Sequence, residues 1–162
     1  MDDIDKELES IVERQDAVQL KAWLEAGGNP NARTGYGSAI STCSVNRHGS
    51  IDCVKLLIEH GADVNTQLYA NEWTALHGAS FNGNAEIVEL LLEAGANTTI
   101  KTKITNDPEW YGTKFEGKTA LELAKMTSRG TGVVELLSIF EEKQRLESSV
   151  FIAPTKSNQR KL

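Results

Sequence analysis

The 162-residue sequence has no apolar run approaching the roughly 18 residues that a membrane-spanning helix needs, so no membrane role is expected. Its opening stretch, Met1 to Ser10, is acidic and lacks an apolar segment, so it does not read as a secretory signal; the expected location is the cytoplasm, with the nucleus as second choice. Cysteine is nearly absent. Cys43 and Cys53 form no Cys-x-x-Cys motif, and both fall at apolar-periodic positions, where small core residues belong. His48 and His60 have no carboxylate or cysteine at ligand spacing, so neither a metal nor a cofactor is expected. The glycine pairs in Gly35-Tyr36-Gly37 and Gly130-Thr131-Gly132 lack the third glycine and the lysine of a phosphate loop. No serine, threonine or cysteine has a credible base and orienting partner, so an enzyme is not expected. There is no surplus of basic charge either: the net charge is −6, which argues against nucleic acid as the partner.

What is present is an ordinary globular composition, 40% apolar and 25% charged, with uneven charge. Residues 1–26 carry eight acids and three bases, whereas residues 143–162 carry five bases and one acid. Between these ends the sequence repeats itself. Leu24-Glu25-Ala26-Gly27-Gly28-Asn29 returns as Ile58-Glu59-His60-Gly61-Ala62-Asp63 and again as Leu92-Glu93-Ala94-Gly95-Ala96-Asn97, with Gly27, Gly61 and Gly95 each 34 residues apart. Upstream of these endings lie Ser38-Ala39-Ile40-Ser41-Thr42-Cys43, Thr74-Ala75-Leu76-His77-Gly78-Ala79 and Thr119-Ala120-Leu121-Glu122-Leu123-Ala124.

The Thr74–Ala79 stretch matches the Thr-Pro-Leu-His-x-Ala signature, and with the 34-residue period the chain resembles the ankyrin-repeat family. The resemblance covers roughly residues 8–142. It implies an all-α solenoid of stacked helix-turn-helix pairs with finger loops. The expected array occupies residues 1–142: a degenerate capping repeat at 1–33, repeats at about 34–66, 67–100 and 117–142, and an inserted finger at 101–116. A basic tail, 143–162, follows. The pattern is physically coherent. Thr74 can cap a short helix, Asn82-Gly83-Asn84 breaks the chain, and a second helix turns Ile87, Val88, Leu90, Leu91 and Leu92 toward neighbours before Gly95 ends it. Leu8, Ile11, Val12, Val18, Leu20 and Leu24 read as the inward face of the first unit. His77 occupies the family's own histidine position, which implies a structural role.

Departures from the repeat are where function is expected. The insertion holds Trp110, Tyr111 and Phe115 and reads either as a binding finger or as a flap packed on the last two repeats. In this family the fingers and first helices form the binding face, which selects Tyr36, Tyr69, Asn71, Trp73, Phe81 and Asn82 as further candidates. Trp73, Phe81 and Trp110 are expected to form one exposed apolar patch, unless Trp73 merely shields the inserted finger. The expected function is that of a protein-interaction module, an adaptor or scaffold acting as a monomer on a protein partner. The alternative is a small inhibitor that blocks a partner enzyme or toxin.

Overall fold

A computed structural model describes residues 5–35, 37–45, 50–67, 72–103 and 115–150. Its helices come in pairs: α1 (Lys6–Arg14) with α2 (Ala17–Glu25), α3 (Ala39–Val45) with α4 (Ile51–Glu59), α5 (Ala75–Asn82) with α6 (Ala85–Glu93), and α7 (Ala120–Lys125) with α8 (Thr131–Val150). The first helices contact one another in the order α1, α3, α5, α7, and the second helices in the order α2, α4, α6, α8, so the pairs stack in two rows. A two-residue antiparallel ladder, β1 (Arg33–Thr34) on β2 (Gly37–Ser38), forms the first finger. The all-α ankyrin-type solenoid expected from the repeat is the architecture observed.

Most of the helices start where a side chain can accept a free backbone N–H, although Asn84 makes no such bond at the start of α6. Asp5 accepts from Leu8 at 2.9 Å, Asp16 from Gln19 at 3.0 Å and Ser50 from Cys53 at 3.2 Å. Thr119 and Glu122 form a reciprocal capping box: Thr119 N–H donates to Glu122 Oε2 at 2.8 Å, and Glu122 N–H to Thr119 Oγ1 at 3.3 Å. That hydrogen bond holds the Glu122 carboxyl below the usual range. The recurring glycines end α2, α4 and α6 with φ values of 94°, 83° and 86°, a left-handed conformation that a Cβ penalises.

The core is continuous through the stack, and Leu20, Ile40, Leu57, Leu76, Ile87, Leu91, Leu123 and Leu137 are fully buried in it. Cys43 and Cys53 are free thiols in that core. The hydrogen bond of Cys43 to Cys53, together with burial, raises its pKa and keeps it protonated. Val18 is a correction to the expected inward face, being 81% exposed. It lies two residues before Leu20, about 200° around the helix from the Leu20–Leu24 stripe. Leu90 is only half-buried. Helix α8 also continues past Lys143, where the apolar pattern fades, to Val150.

Candidate functional site

The face made by the first helices and the fingers departs most from regular repeat geometry around Trp73. The indole sits one residue before the Thr74 cap of α5. Its ring centroid is 5.5 Å from Phe81 at an interplanar angle of 67°, and 6.1 Å from Phe115 at 84°. Phe81 and Phe115 themselves meet edge to face at 5.3 Å. Edge-to-face pairs set the positive ring edge against a negative ring face, and each adds about 0.5–1.5 kcal/mol beyond area burial. His77 lies beneath, its ring 6.5 Å from the indole.

This geometry corrects the expected exposed patch. Trp73 is only 7% exposed, while Phe81 and Phe115 are half-buried and form its cover. Phe115, at the far end of the insertion, thus packs back on the third repeat. Asn82 is committed to the scaffold as well: its side-chain amide donates to the Val45 carbonyl at the end of α3 and to Gly78 O at 3.2 Å. Tyr36, Tyr69, Asn71, Trp110 and Tyr111 lie outside the described residues.

Two buried residues hold the ends of the insertion together. Thr102 N–H donates to Lys118 O at 3.0 Å, and Thr102 O accepts from Gly117 N–H at 3.0 Å. Its hydroxyl donates to Phe115 O and accepts from Lys118 N–H at 3.0 Å. The second residue is His77. Its Nδ1 accepts from Thr74 N–H at 3.1 Å, which leaves Nε2 to donate to Ile100 O at 3.0 Å. Burial lowers the His77 pKa to about 4, against the smaller opposing pull of backbone hydrogen bonds to Ile100 and Lys118. The ring is therefore neutral at neutral pH and serves as a structural bridge.

Glu72 joins the finger of the third repeat to the same stem. It has φ 51°, unusual for a residue with a Cβ, and its carboxylate forms an ion pair with Lys103. Gln67 Nε2 donates to Glu72 O at 3.0 Å and holds the turn from the other side. Thr102 was not singled out in the sequence because a lone threonine between two lysines carries no pattern. Among the described residues no group of three or more His, Cys, Asp or Glu side chains is placed to hold a metal ion, and no helix is long and apolar enough to cross a membrane.

Comparison with known proteins agrees with this geometry. Over 60 residues the chain is 40% identical to a fowlpox virus protein named for ankyrin repeats, FPV233, and over 68 residues 37% identical to a second, FPV222. These matches cover 37% and 41% of this chain but only 12% and 9% of the two viral proteins, which are much longer. The family model described as ankyrin repeats (3 copies) matches residues 12–102 and 43–147, most of the length, and the chain belongs to the ankyrin-repeat family.

Proposed function

We propose that the chain acts as an adaptor or scaffold, binding a protein partner through the finger side of its third and fourth repeats. Ankyrin repeats are in general protein-interaction modules, and stacking leaves their first helices and fingers free to meet another surface. The observation that carries the reading is the pair of half-exposed rings, Phe81 and Phe115, set over the buried Trp73 at the base of a long insertion. Rings locked by their neighbours lose little side-chain freedom on binding, which is the property of an interface anchor. The stems of the insertion are fixed by Thr102 and His77.

Affinity capture from source-cell lysate with three baits tests this: the wild-type chain, Phe115→Ala, and a deletion of residues 104–114 closed by two glycines. The Thr102–Lys118 hydrogen bond keeps the stems together, so the deletion is expected to retain the helical circular dichroism spectrum. It is expected to lose the captured partner, and Phe115→Ala to weaken it by about 2 kcal/mol. Full retention of partners by both variants refutes the reading. One stoichiometric enzyme among the partners identifies an inhibitor; several unrelated proteins identify a scaffold.

A further inference from the structure

The apolar surface on the first helices does not end at Phe81 and Phe115. Val45, Phe81 and Met126 each stand seven residues after Ser38, Thr74 and Thr119, the residues that cap their helices. Helices α3, α5 and α7 lie side by side, so the three residues fall in one row across them. Two contacts hold that row together. The Asn82 amide donates to Val45 O, and Arg129 O lies 2.5 Å from where a Cβ on Gly83 would sit, which sets the α7–α8 turn against the α5–α6 turn. Phe81 is half-buried and Met126 is 37% exposed, so the row reaches water across the third and fourth repeats.

The charge around the row is opposite to that of the chain. Residues 101–129 carry six bases and four acids, in a chain that carries 17 and 23 overall. Glu122 is already engaged in the cap of α7, and Lys103 is paired with Glu72. Lys118 stands at the finger end of α7, one residue before the Thr119 cap, and Lys125 and Arg129 stand at its other end, on either side of Met126. Among the described residues Lys125 and Arg129 are exposed, and neither makes an ion pair. The opposing acid left exposed in the described part of this stretch is Glu116. We propose that this surface takes an acidic peptide segment of the partner, in which Asp or Glu flanks an aliphatic or aromatic side chain; the proposal rests on the protein-binding role given above. The apolar side chain covers Phe81 and Met126, while carboxylates meet Lys118 at one end and Lys125 and Arg129 at the other. Helix α7 is about 9 Å long, the span of about three residues of extended chain, so a segment lying along it brackets its apolar residue with acids at that spacing. A basic segment would meet like charge here and be drawn instead to the exposed Glu86, Glu89 and Glu93 of α6.

Selection of a displayed library of random dodecapeptides on the full chain, followed by fluorescence titration of an enriched peptide, tests the proposal. Enriched sequences are expected to carry Asp or Glu close to Leu, Ile, Met or Phe. Lys125→Glu with Arg129→Glu is expected to weaken binding at least tenfold, with an unchanged thermal midpoint because both residues are exposed. Met126→Ala is expected to weaken it severalfold. Raising salt from about 50 to 500 mM is expected to weaken binding to wild type far more than to the double glutamate variant. Enrichment of basic or uncharged peptides overturns the proposal, as does an acidic peptide that binds the double variant as tightly as wild type. A short single-stranded oligonucleotide that binds where the peptides do not, with the same loss in the double variant, gives the bases to phosphates and overturns it too. The captured partner separates this proposal from the role beneath it. If Phe115→Ala releases that partner and the double glutamate variant does not, the binding site stands and its acidic ligand falls; if neither variant releases it, both fall.

Discussion

At the first two junctions of the stack, neighbouring loops are tied by single asparagines; at the third, the tie is a buried threonine, a buried histidine and three aromatic rings. Asn31 donates to Gly61 O at 3.2 Å and accepts from Asp63 N–H at 2.7 Å. One repeat later Asn65 donates to Gly95 O at 3.4 Å and accepts from Asn97 N–H at 2.8 Å. Thr99 stands 34 residues after Asn65, where the next asparagine of the series would be, and both its N–H, at 2.9 Å, and its hydroxyl, at 2.8 Å, donate to Asn97 Oδ1 in its own loop. Among the described residues no third rung follows. The insertion begins just beyond, and Thr102, His77 and Trp73 take over the work of joining repeats. A surface rung competes with water for its hydrogen bonds; a buried clamp does not. The third junction is therefore expected to be the more sensitive to side-chain loss.

The largest effect is expected for Trp73→Ala. Removing a buried indole from an aromatic cluster costs roughly 3–5 kcal/mol. Leu91→Ala, in the regular core, is expected to cost roughly 2–5 kcal/mol by the same cavity mechanism. Urea denaturation of both variants measures the two costs. A Trp73→Ala variant as stable as wild type would return the indole to the solvent-facing role first expected of it and dissolve the contrast between junctions.

The second effect depends on pH. The His77 pKa is about 4 in the folded chain, below its ordinary value of 6.5, so the folded state favours the neutral ring. Above pH 6.5 the ring is neutral in both states and its contribution is whole. As pH falls from 6.5 toward 4, the unfolded chain takes up a proton that the folded chain refuses, and stability drops by roughly 3 kcal/mol before levelling off. The second repeat provides the control, because Ser41 stands where His77 does. There Ser38 Oγ donates to Ser41 Oγ at 2.9 Å and accepts from Ser41 N–H at 3.3 Å, making a cap with nothing to titrate. His77→Ser should flatten stability between pH 6.5 and 4 relative to wild type. An identical slope in both proteins would show that the ring does not stay neutral in the folded chain.

Most of the scaffold was legible because it is written in period and chemistry together. The 34-residue glycine spacing, the capping threonines and the apolar helix faces each point to the same elements. Val18 misled because it is apolar and lies close to Leu20, although helical geometry turns it away. The candidate site was less legible, for a physical reason. The position of Trp73 identifies a finger, but whether its ring meets solvent depends on Phe115, which lies across an insertion of no repeating pattern. Periodicity says nothing about where such a segment returns. Thr102 was invisible for the same reason: its four hydrogen bonds are made to residues 13 to 16 positions away.

The third effect belongs to Thr102. Thr102→Val keeps shape and volume but removes the hydroxyl that donates to Phe115 O and accepts from Lys118 N–H. The residue is buried, so both partners are left wanting, at a cost of about 1–3 kcal/mol. The backbone bonds of Thr102 remain, and the helices should stay formed. Hydrogen exchange at Lys118 N–H reads the clamp directly. Exchange as slow in the variant as in wild type would mean that the hydroxyl does not hold the stem.

The smallest effect tests the other side of the contrast. Asn31→Ala and Asn65→Ala each remove two inter-repeat hydrogen bonds at exposed positions, where water can satisfy the Gly61 or Gly95 carbonyl and the Asp63 or Asn97 N–H after the side chain is gone. Each is therefore expected to cost about 0.5–1.5 kcal/mol, less than the buried clamp. Asp63 touches both asparagines, donating its N–H to Asn31 and accepting from Asn65 N–H, but Asn65→Ala keeps that backbone bond, so the double variant should show the sum of the single losses within about 0.5 kcal/mol. The array should still unfold in one transition, because the continuous apolar core, rather than the rungs, carries the coupling between repeats. Urea denaturation of the three variants decides it. A loss at either asparagine larger than that of Thr102→Val, or a double variant that unfolds in two separate steps, would mean that the surface rungs and not the core hold the first three repeats together.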